Sequence, residues 1–554
     1  MIRNPRIVRP SIRTSIVLTV VVLMVGLSSR PARAQGGGGG QVFELDLGVF
    51  GLNTLATIAP SLLFRPFDTF GVRPDAVALG MGGAYTARST NAFATSWSPA
   101  GLTGVTEFSL AADAVAQSSS GSVTGFPTVL EIPASPLLTV TGYDNKLKSR
   151  FQYGSLSMAV PLWTGKNQKV VGALSWRRQA NPTSGEQAVQ DLTLEENGST
   201  PVTLAVDRSE KGAVETYGPS LGVQLLPGVS LGASANFLIG RMRINGATRV
   251  NTGGGGSPPP GTQRFTQKYS GFNFDLGARF EALSNRVAVA AKFTPEYTLE
   301  VTGGGYNLTN IQAPGAPSTN IFGKLAGYDL TVPSAFNAGI ALQPTQRLWL
   351  TADIESQKMG DTTLEYNGVT PLDTPEPEHA YQDVSNLRFG AEYMLFRKSW
   401  ANIPIRVGYR QVDLGYRQPA GEDYTYIYSF QLPGLTQEQR DGIDDFQTVA
   451  VVYDGSPSGE AVDGNAYSFG FSLATDRVTY DVGFDVLSYE EQKFNLDSSW
   501  DTIFNPNPVE GDRRPRDSEG VPLPVVNVHP SLISIDRSLT NIRFSATYRF
   551  PGLF

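Results

Sequence analysis

From Phe108 to the end of the chain, apolar and polar residues alternate one by one in segments of about ten, the length of strand that crosses a bilayer. In the last segment Ile542, Phe544, Ala546, Tyr548 and Phe550 share one parity, and Asn541, Arg543, Ser545, Thr547 and Arg549 the other. Val478, Tyr480, Val482, Phe484 and Val486 likewise oppose Thr479, Asp481, Gly483 and Asp485. The same holds for Leu387, Phe389, Ala391, Tyr393 and Leu395 against Arg388, Gly390 and Glu392. A period of two is that of a strand with unlike faces. A soluble sandwich also alternates, but its strands are shorter, and here Tyr153, Trp163, Trp176, Tyr217, Tyr297, Tyr393, Tyr409 and Tyr548 sit near segment ends, as membrane girdles do.

The connections come in two sizes. Leu226–Gly228, Leu283–Arg286, Gln343–Gln346 and Ala474–Arg477 read as tight turns. Asn181–Thr216, Met242–Ser270, Thr302–Pro333, Met359–Asp383, Asp413–Asn465 and Ser488–Ser538 read as long polar loops. Short turns on one side and long loops on the other predict an all-β fold, a closed transmembrane antiparallel barrel of about 14 strands with both ends on the short-turn side.

Charge and targeting sharpen this picture. Arg3, Arg6, Arg9 and Arg13 precede the apolar stretch Ile16–Leu27 and the Ala32-Arg33-Ala34 site, which together predict a signal peptide over 1–34. The stretch is too short for a membrane helix. Removing it leaves 38 bases against 51 acids, a net charge of −13, which argues against nucleic-acid binding. There is no cysteine, so neither a disulfide nor a lipid-bearing cysteine is expected.

Residues 35–104 differ in character from the strands. After the spacer Gly36–Gly40 and the apolar Phe43–Phe70 comes Ala78-Leu79-Gly80-Met81-Gly82-Gly83-Ala84-Tyr85-Thr86-Ala87, then Ser98-Pro99-Ala100-Gly101-Leu102. The glycines lack the G-x-G-x-x-G order of a dinucleotide loop. Either a small periplasmic cap or a plug inside the barrel suits the segment, and a wide barrel needs filling. The two motifs resemble the N-terminal hatch of the FadL/TodX family of outer-membrane hydrophobic-compound transporters. Ser98 stands where that family has asparagine, and the acidic pair between its motifs is missing here. Leu330–Gly339, followed by Leu348–Asp353, is similar to a strand entry and hairpin of the same family. PorV-type barrels of a secretion system share much of the hatch signature. The resemblance implies hatch 35–104 and barrel 105–554, with Gly80, Met81, Gly82, Gly83, Pro99, Ala100 and Gly101 forming the gate.

Enzymatic chemistry finds little support. His379 and His529 fall in predicted loops, no G-x-S-x-G elbow is present, and Asp454–Gly459 lacks the terminal glutamate of a calcium loop. Neither cofactor nor metal is expected. The predicted lumen-facing charges Arg279, Asp353, Glu355, Arg388, Glu392, Arg406, Arg410, Asp481, Asp485, Arg543 and Arg549 include both signs and are expected to pair across strands. Left free, Arg388, Arg406 and Arg410 would suit a carboxylate. Ile311, Ile321, Phe322, Leu325, Tyr328 and Leu330 of the long loop Thr302–Pro333 offer an apolar landing surface. The resemblance then implies a monomeric channel of the cell outer membrane, in contact with its lipid, that passively takes up long-chain fatty acids or aromatic hydrocarbons. The alternatives are a PorV-like partner of a protein secretion system and a general diffusion porin.

Overall fold

The computed structural model describes residues 73–552, except 125–128, 131–137, 148–149, 166, 181–186, 197–201, 252–260, 285, 312–318, 325–326, 368–380, 399, 418–459 and 496–530. The signal peptide, the spacer, the apolar stretch 43–70, both histidines, Leu325 and the Asp454–Gly459 run lie outside the described residues.

Fourteen antiparallel strands close into one barrel. In chain order they are β1 (Phe108–Thr124), β2 (Arg150–Thr164), β3 (Lys169–Ala180), β4 (Val202–Leu226) and β5 (Val229–Asn251). Next come β6 (Gly261–Ala282), β7 (Val287–Thr294 continued by Tyr297–Ile311), β8 (Gly327–Val332 continued by Ala335–Thr345) and β9 (Leu348–Gln357 continued by Thr363–Asn367). The last five are β10 (Val384–Arg397), β11 (Asn402–Arg417), β12 (Ala461–Ala474), β13 (Val478–Asn495) and β14 (Ser531–Phe550). Each strand pairs with the next, and β14 returns to β1 with Phe108 opposite Phe550 and Thr124 opposite Ser534. Closure leaves no free edge strand among the fourteen. Among the described residues no helix is long and apolar enough to cross a membrane, which says nothing of a barrel.

The turns 227–228, 283–286, 346–347 and 475–477 lie at one end, called the lower end below. The turn predicted at Gln343–Gln346 is displaced to 346–347. Strand β8 runs on to Thr345, with its pairing shifted between Leu342 and Thr345, an irregular site where Pro344 is tolerated. A larger correction concerns the long loops. Strands β4, β5 and β6 are 25, 23 and 22 residues long and take up much of what reads as loop in Asn181–Thr216 and Met242–Ser270. Gln187–Glu196 and Thr319–Lys324 are also strand. Polar, glycine-rich composition is ordinary for a loop, but it does not stop a ladder from continuing where water wets both sides.

Parity holds over the lower wall. Val407, Tyr480, Phe389 and Phe544 are exposed on the outside, while Arg406, Asp481, Arg410, Asp485, Arg543 and Thr547 are buried inside. Higher up, a crease crosses three neighbouring strands at one level: Pro295-Glu296 in β7, Pro333-Ser334 in β8 and 358–362 in β9. In β7 and β8 the faces exchange there. Below the crease Phe293, Phe336 and Ile340 point outward, and Lys292, Thr294 and Asn337 inward. Above it Leu299, Val301, Tyr328, Leu330 and Val332 are buried on the inner side, and Thr298 and Glu300 are exposed outside. Proline has no N–H for the ladder, and an extra residue reverses the alternation.

Candidate functional site

The short segment before β1 sits inside the lower barrel, where every residue from Pro74 to Thr86 is buried. It folds as α1 (Ala76–Gly80), α2 (Ala94–Trp97) and a 3-10 turn (Pro99–Gly104). Asp75 caps α1, accepting from the Val77 N–H at 2.9 Å, and Pro99 opens the 3-10 turn with its pre-set φ. Trp97 locks the segment onto itself: its Nε1–H donates to Pro74 O (2.9 Å), and its ring meets Tyr85 edge-on at 5.7 Å.

The seven residues singled out in the two glycine motifs lie where this segment meets the wall. Gly82 has φ +65, and a side-chain carbon there would fall 2.7 Å from the Tyr409 backbone nitrogen. The wall answers with glycines of its own. Gly408 of β11 faces Gly82 and Met81, while Gly232 of β5 faces Pro99 and Ala100, leaving no room for a Cβ at either wall position. Gly101 is equally tight, against Ser89 O. These wall glycines were missed by sequence reading; the available signal was glycine recurring at lumen parity in neighbouring strands.

Charges from the wall clamp the segment's backbone and side chains. Asp353 accepts from the Tyr85 and Thr86 N–H groups at 2.9 and 2.7 Å. Arg279 Nε–H donates to Ala87 O, Lys169 Nζ to Thr103 O, and Arg177 to Thr95 O. Arg88 meets Glu392, which also holds Arg406, and stacks over Trp349 at 4.3 Å. Arg73 and Arg388 share Glu355, while Arg410 pairs with Asp485 and Arg543 with Asp113. Arg388, Arg406 and Arg410 are therefore all engaged by wall carboxylates.

Asp75 stands apart. It is fully buried, takes φ +103, and accepts from Asn91 Nδ2 at 2.8 Å. Ser545 Oγ lies 3.5 Å from Asp75 Oδ1 and 3.4 Å from Asp481 Oδ2, while accepting the Ala76 N–H at 3.3 Å. A single hydroxyl proton cannot serve two carboxylates. Burial, and after it the charge of Asp481, push the Asp75 carboxyl up to about 7.

Above this charged level the inner surface changes chemistry. Leu238, Met242, Tyr269, Leu299, Val301, Tyr328, Leu330 and Val332 form a buried apolar belt across β5–β8. Val412, Leu414, Val462, Ala466 and Leu487 form a second patch on β11–β13. Tyr328 and Leu330 thus belong to the inner wall and not to a loop. Ile311, Ile321 and Phe322 lie on strands at that end.

The wall itself is interrupted between β2 and β3. Gly154 is skipped in the pairing of β2 with β1, and a Cβ there would lie 2.6 Å from Asp113 Oδ2. Among the described residues the β2–β3 ladder ends at Ser155 opposite Arg177. Beyond it Arg178 reaches across to Gln152, and Phe151 and Tyr153 stand exposed at 63% and 70%.

The buried acids face guanidinium groups and backbone N–H donors, and among the described residues no group of His, Cys, Asp and Glu could hold a metal. Comparison with solved structures finds a likeness of fold. The crystal structure of a Pseudomonas aeruginosa FadL homologue overlaps with a TM-score of 0.51 at 13% identity, over 86% of this chain and 98% of that one. The Ralstonia pickettii toluene transporter TbuX overlaps at 0.45 and 14% identity, over 87% and 100% of the two chains. The likeness of fold rests on the first. A protein-family model described as BamG matches residues 189–418, less than half of the chain. By sequence, no curated protein matches it.

Proposed function

We propose that this chain is an outer-membrane channel for passive uptake of hydrophobic small molecules, with residues 1–34 a signal peptide, 35–104 a hatch and 105–554 the barrel. The observation that carries this reading is the apolar inner belt stacked directly on a charged level filled by the hatch. A polar-solute porin needs a wet, polar lumen, whereas Leu238, Leu299, Leu330 and their neighbours make the inner side apolar and buried, the chemistry that suits an alkyl chain or an aromatic ring. Gly80–Gly83 and Pro99–Gly101 are the gate, since their close fit to wall glycines leaves no space for solute. The break above Ser155 and Arg177 is the side exit, with Arg178–Gln152 as its latch and Phe151 and Tyr153 facing the lipid. No energy source enters this scheme.

Deletion of 73–103 tests it. The strand ladder closes without the segment, so a folded barrel is expected. Conductance in planar bilayers should rise sharply, and saturable uptake of a labelled long-chain fatty acid or alkylbenzene into proteoliposomes should become unsaturable leak. Unchanged conductance with no ligand uptake in either form would overturn the channel reading and favour a PorV-like partner of secretion machinery.

A further inference from the structure

A cluster of cations lies on the outer wall, away from the lumen. Arg241 and Arg243 of β5 and Lys268 and Arg264 of β6 are all exposed and share the outward parity of Phe237, Ile239, Phe272 and Phe274 just below. Register puts Arg241 directly opposite Lys268, Arg243 opposite Thr266, and Asn245 opposite Arg264. Like charges facing each other across a ladder destabilise it unless something neutralises them. Among the described residues none of the four makes an ion pair; Arg264 Nε–H donates to the neutral Asn245 Oδ1 at 3.2 Å. Among the described acids on the flanking strands, neither Glu300 nor Glu215 lies within ion-pair distance of the four. Glu300 accepts from Ser270 Oγ at 3.2 Å, and Glu215 from Trp176 Nε1 (3.1 Å) and the Tyr217 hydroxyl (2.7 Å). Such concentrated positive charge is out of keeping with a chain of net charge −7.

The position specifies the counterion. The patch begins one residue pair above Ile239, 58% exposed, where the outer face turns from apolar to polar. We propose that Arg241, Arg243, Arg264 and Lys268 bind the phosphate groups of an anionic lipid whose acyl chains lie against Phe237, Ile239, Phe272 and Phe274. This rests on the membrane reading above but not on what the channel carries. Guanidinium groups suit phosphate through paired N–H donors, and basic residues at a membrane surface each add to anionic-lipid attraction.

The test uses the full-length mature protein in nanodiscs of phosphatidylethanolamine, with or without a diphosphorylated glycolipid such as lipid A. Native mass spectrometry of extracted protein should show the phosphorylated lipid retained, and the combined R241Q, R243Q, R264Q and K268Q variant should retain about tenfold less. A control carrying R397Q and R477Q, at the lower end, should retain it as wild type does, and circular dichroism confirms that both variants fold. Equal retention by the two variants overturns the proposal. So does stabilisation of the wild type by inorganic phosphate alone to the extent given by the lipid, because the site would then be a free-phosphate site. Failure of the wild type to enter nanodiscs at all would instead overturn the membrane reading, while altered ligand uptake would bear on the channel only.

Discussion

The lower and upper parts of the wall on β7 and β8 are built from the same strands yet turn opposite faces outward. Below Pro295 and Pro333 the outside is Phe293, Phe336 and Ile340 and the inside Lys292, Thr294 and Asn337; above, the apolar side faces in. Alternation alone cannot say which face meets lipid, because a strand is two-faced in either medium. What decides it is the neighbour on each side. Below, the charged inner face has the hatch to bond with, so the outer face is free to be hydrocarbon-like. Above, the inner face is apolar and the polar side is turned outward, where water can wet it.

The sharpest break of this comparison is a charge on each outer face. Phe274→Arg places a guanidinium in the lower band, and should destabilise the refolded barrel by about 2–4 kcal/mol. Thr298→Arg, above the crease, should cost no more than about 0.5 kcal/mol, as ordinary surface changes do. Urea refolding in lipid vesicles checks both, and equal losses would place the bilayer boundary elsewhere. On the inner faces the ranking reverses: Leu299→Ala, at a fully buried position, should cost about 2–4 kcal/mol. Thr547→Ala, on the lower inner face, should cost about 1 kcal/mol or less.

Gly82→Val should act on the gate with little effect on the wall. A branched side chain at φ +65 and 2.7 Å from Tyr409 N cannot be seated, so single-channel conductance should rise toward that of the hatch deletion. Conductance like that of wild type would mean the segment shifts without opening a path.

The smallest effect concerns pH. Asp75 has its docked carboxyl raised to about 7, against an ordinary value near 3.9 when released. The proton is therefore bound more tightly in the docked hatch. This contribution to docking is fully present below about pH 4, is lost as pH climbs to about 7, and stays lost beyond. Protection of the 73–104 amides, taken against the intrinsic exchange rate at each pH, should be greater at pH 5 than at pH 8, and Asp75→Asn, which keeps the cap, should flatten that profile. The titratable and charged groups facing this carboxyl are Asp481 of β13 and Arg406 of β11, together with Tyr85 of the segment itself. A profile unchanged by Asp75→Asn would assign the dependence to Asp481.

Much of the barrel was legible in the sequence, because a wall with unlike faces imposes period two and short turns carry their own chemistry. Leu226-Pro227-Gly228 and Ala474–Arg477 announce themselves through residues that break strands. The long strands β4–β6 were less legible, since Arg243, Arg264 and Lys268 read as loop in Met242–Ser270. Nor does local composition reveal the exchange of faces. Pro295 and Pro333 are visible, but that they fall at one level depends on register between strands 38 residues apart, which a chain read in one dimension does not display. Tyr328 and Leu330 were assigned to a loop for the same reason. The pairing of lumen charges was foreseeable from their mixed signs, but which acid serves which base was not: Glu355 holding both Arg73 and Arg388 needs three elements in place.

The bond from the Ala76 N–H to Ser545 joins residues 469 apart in sequence. Ala76 leaves the ribosome near the beginning and Ser545 near the end, so this contact cannot exist until the final strand has met the first. Docking of the N-terminal segment is thereby a report on completion. A barrel stalled with β14 unpaired would lack both Ser545 and the Asp481–Ser545 seat of α1, and its first folded helix would have nowhere to rest. Seating of the segment and integrity of the wall are then linked, and in a half-assembled molecule the stretch from Pro74 to Thr86, buried when finished, would stay open to a protease.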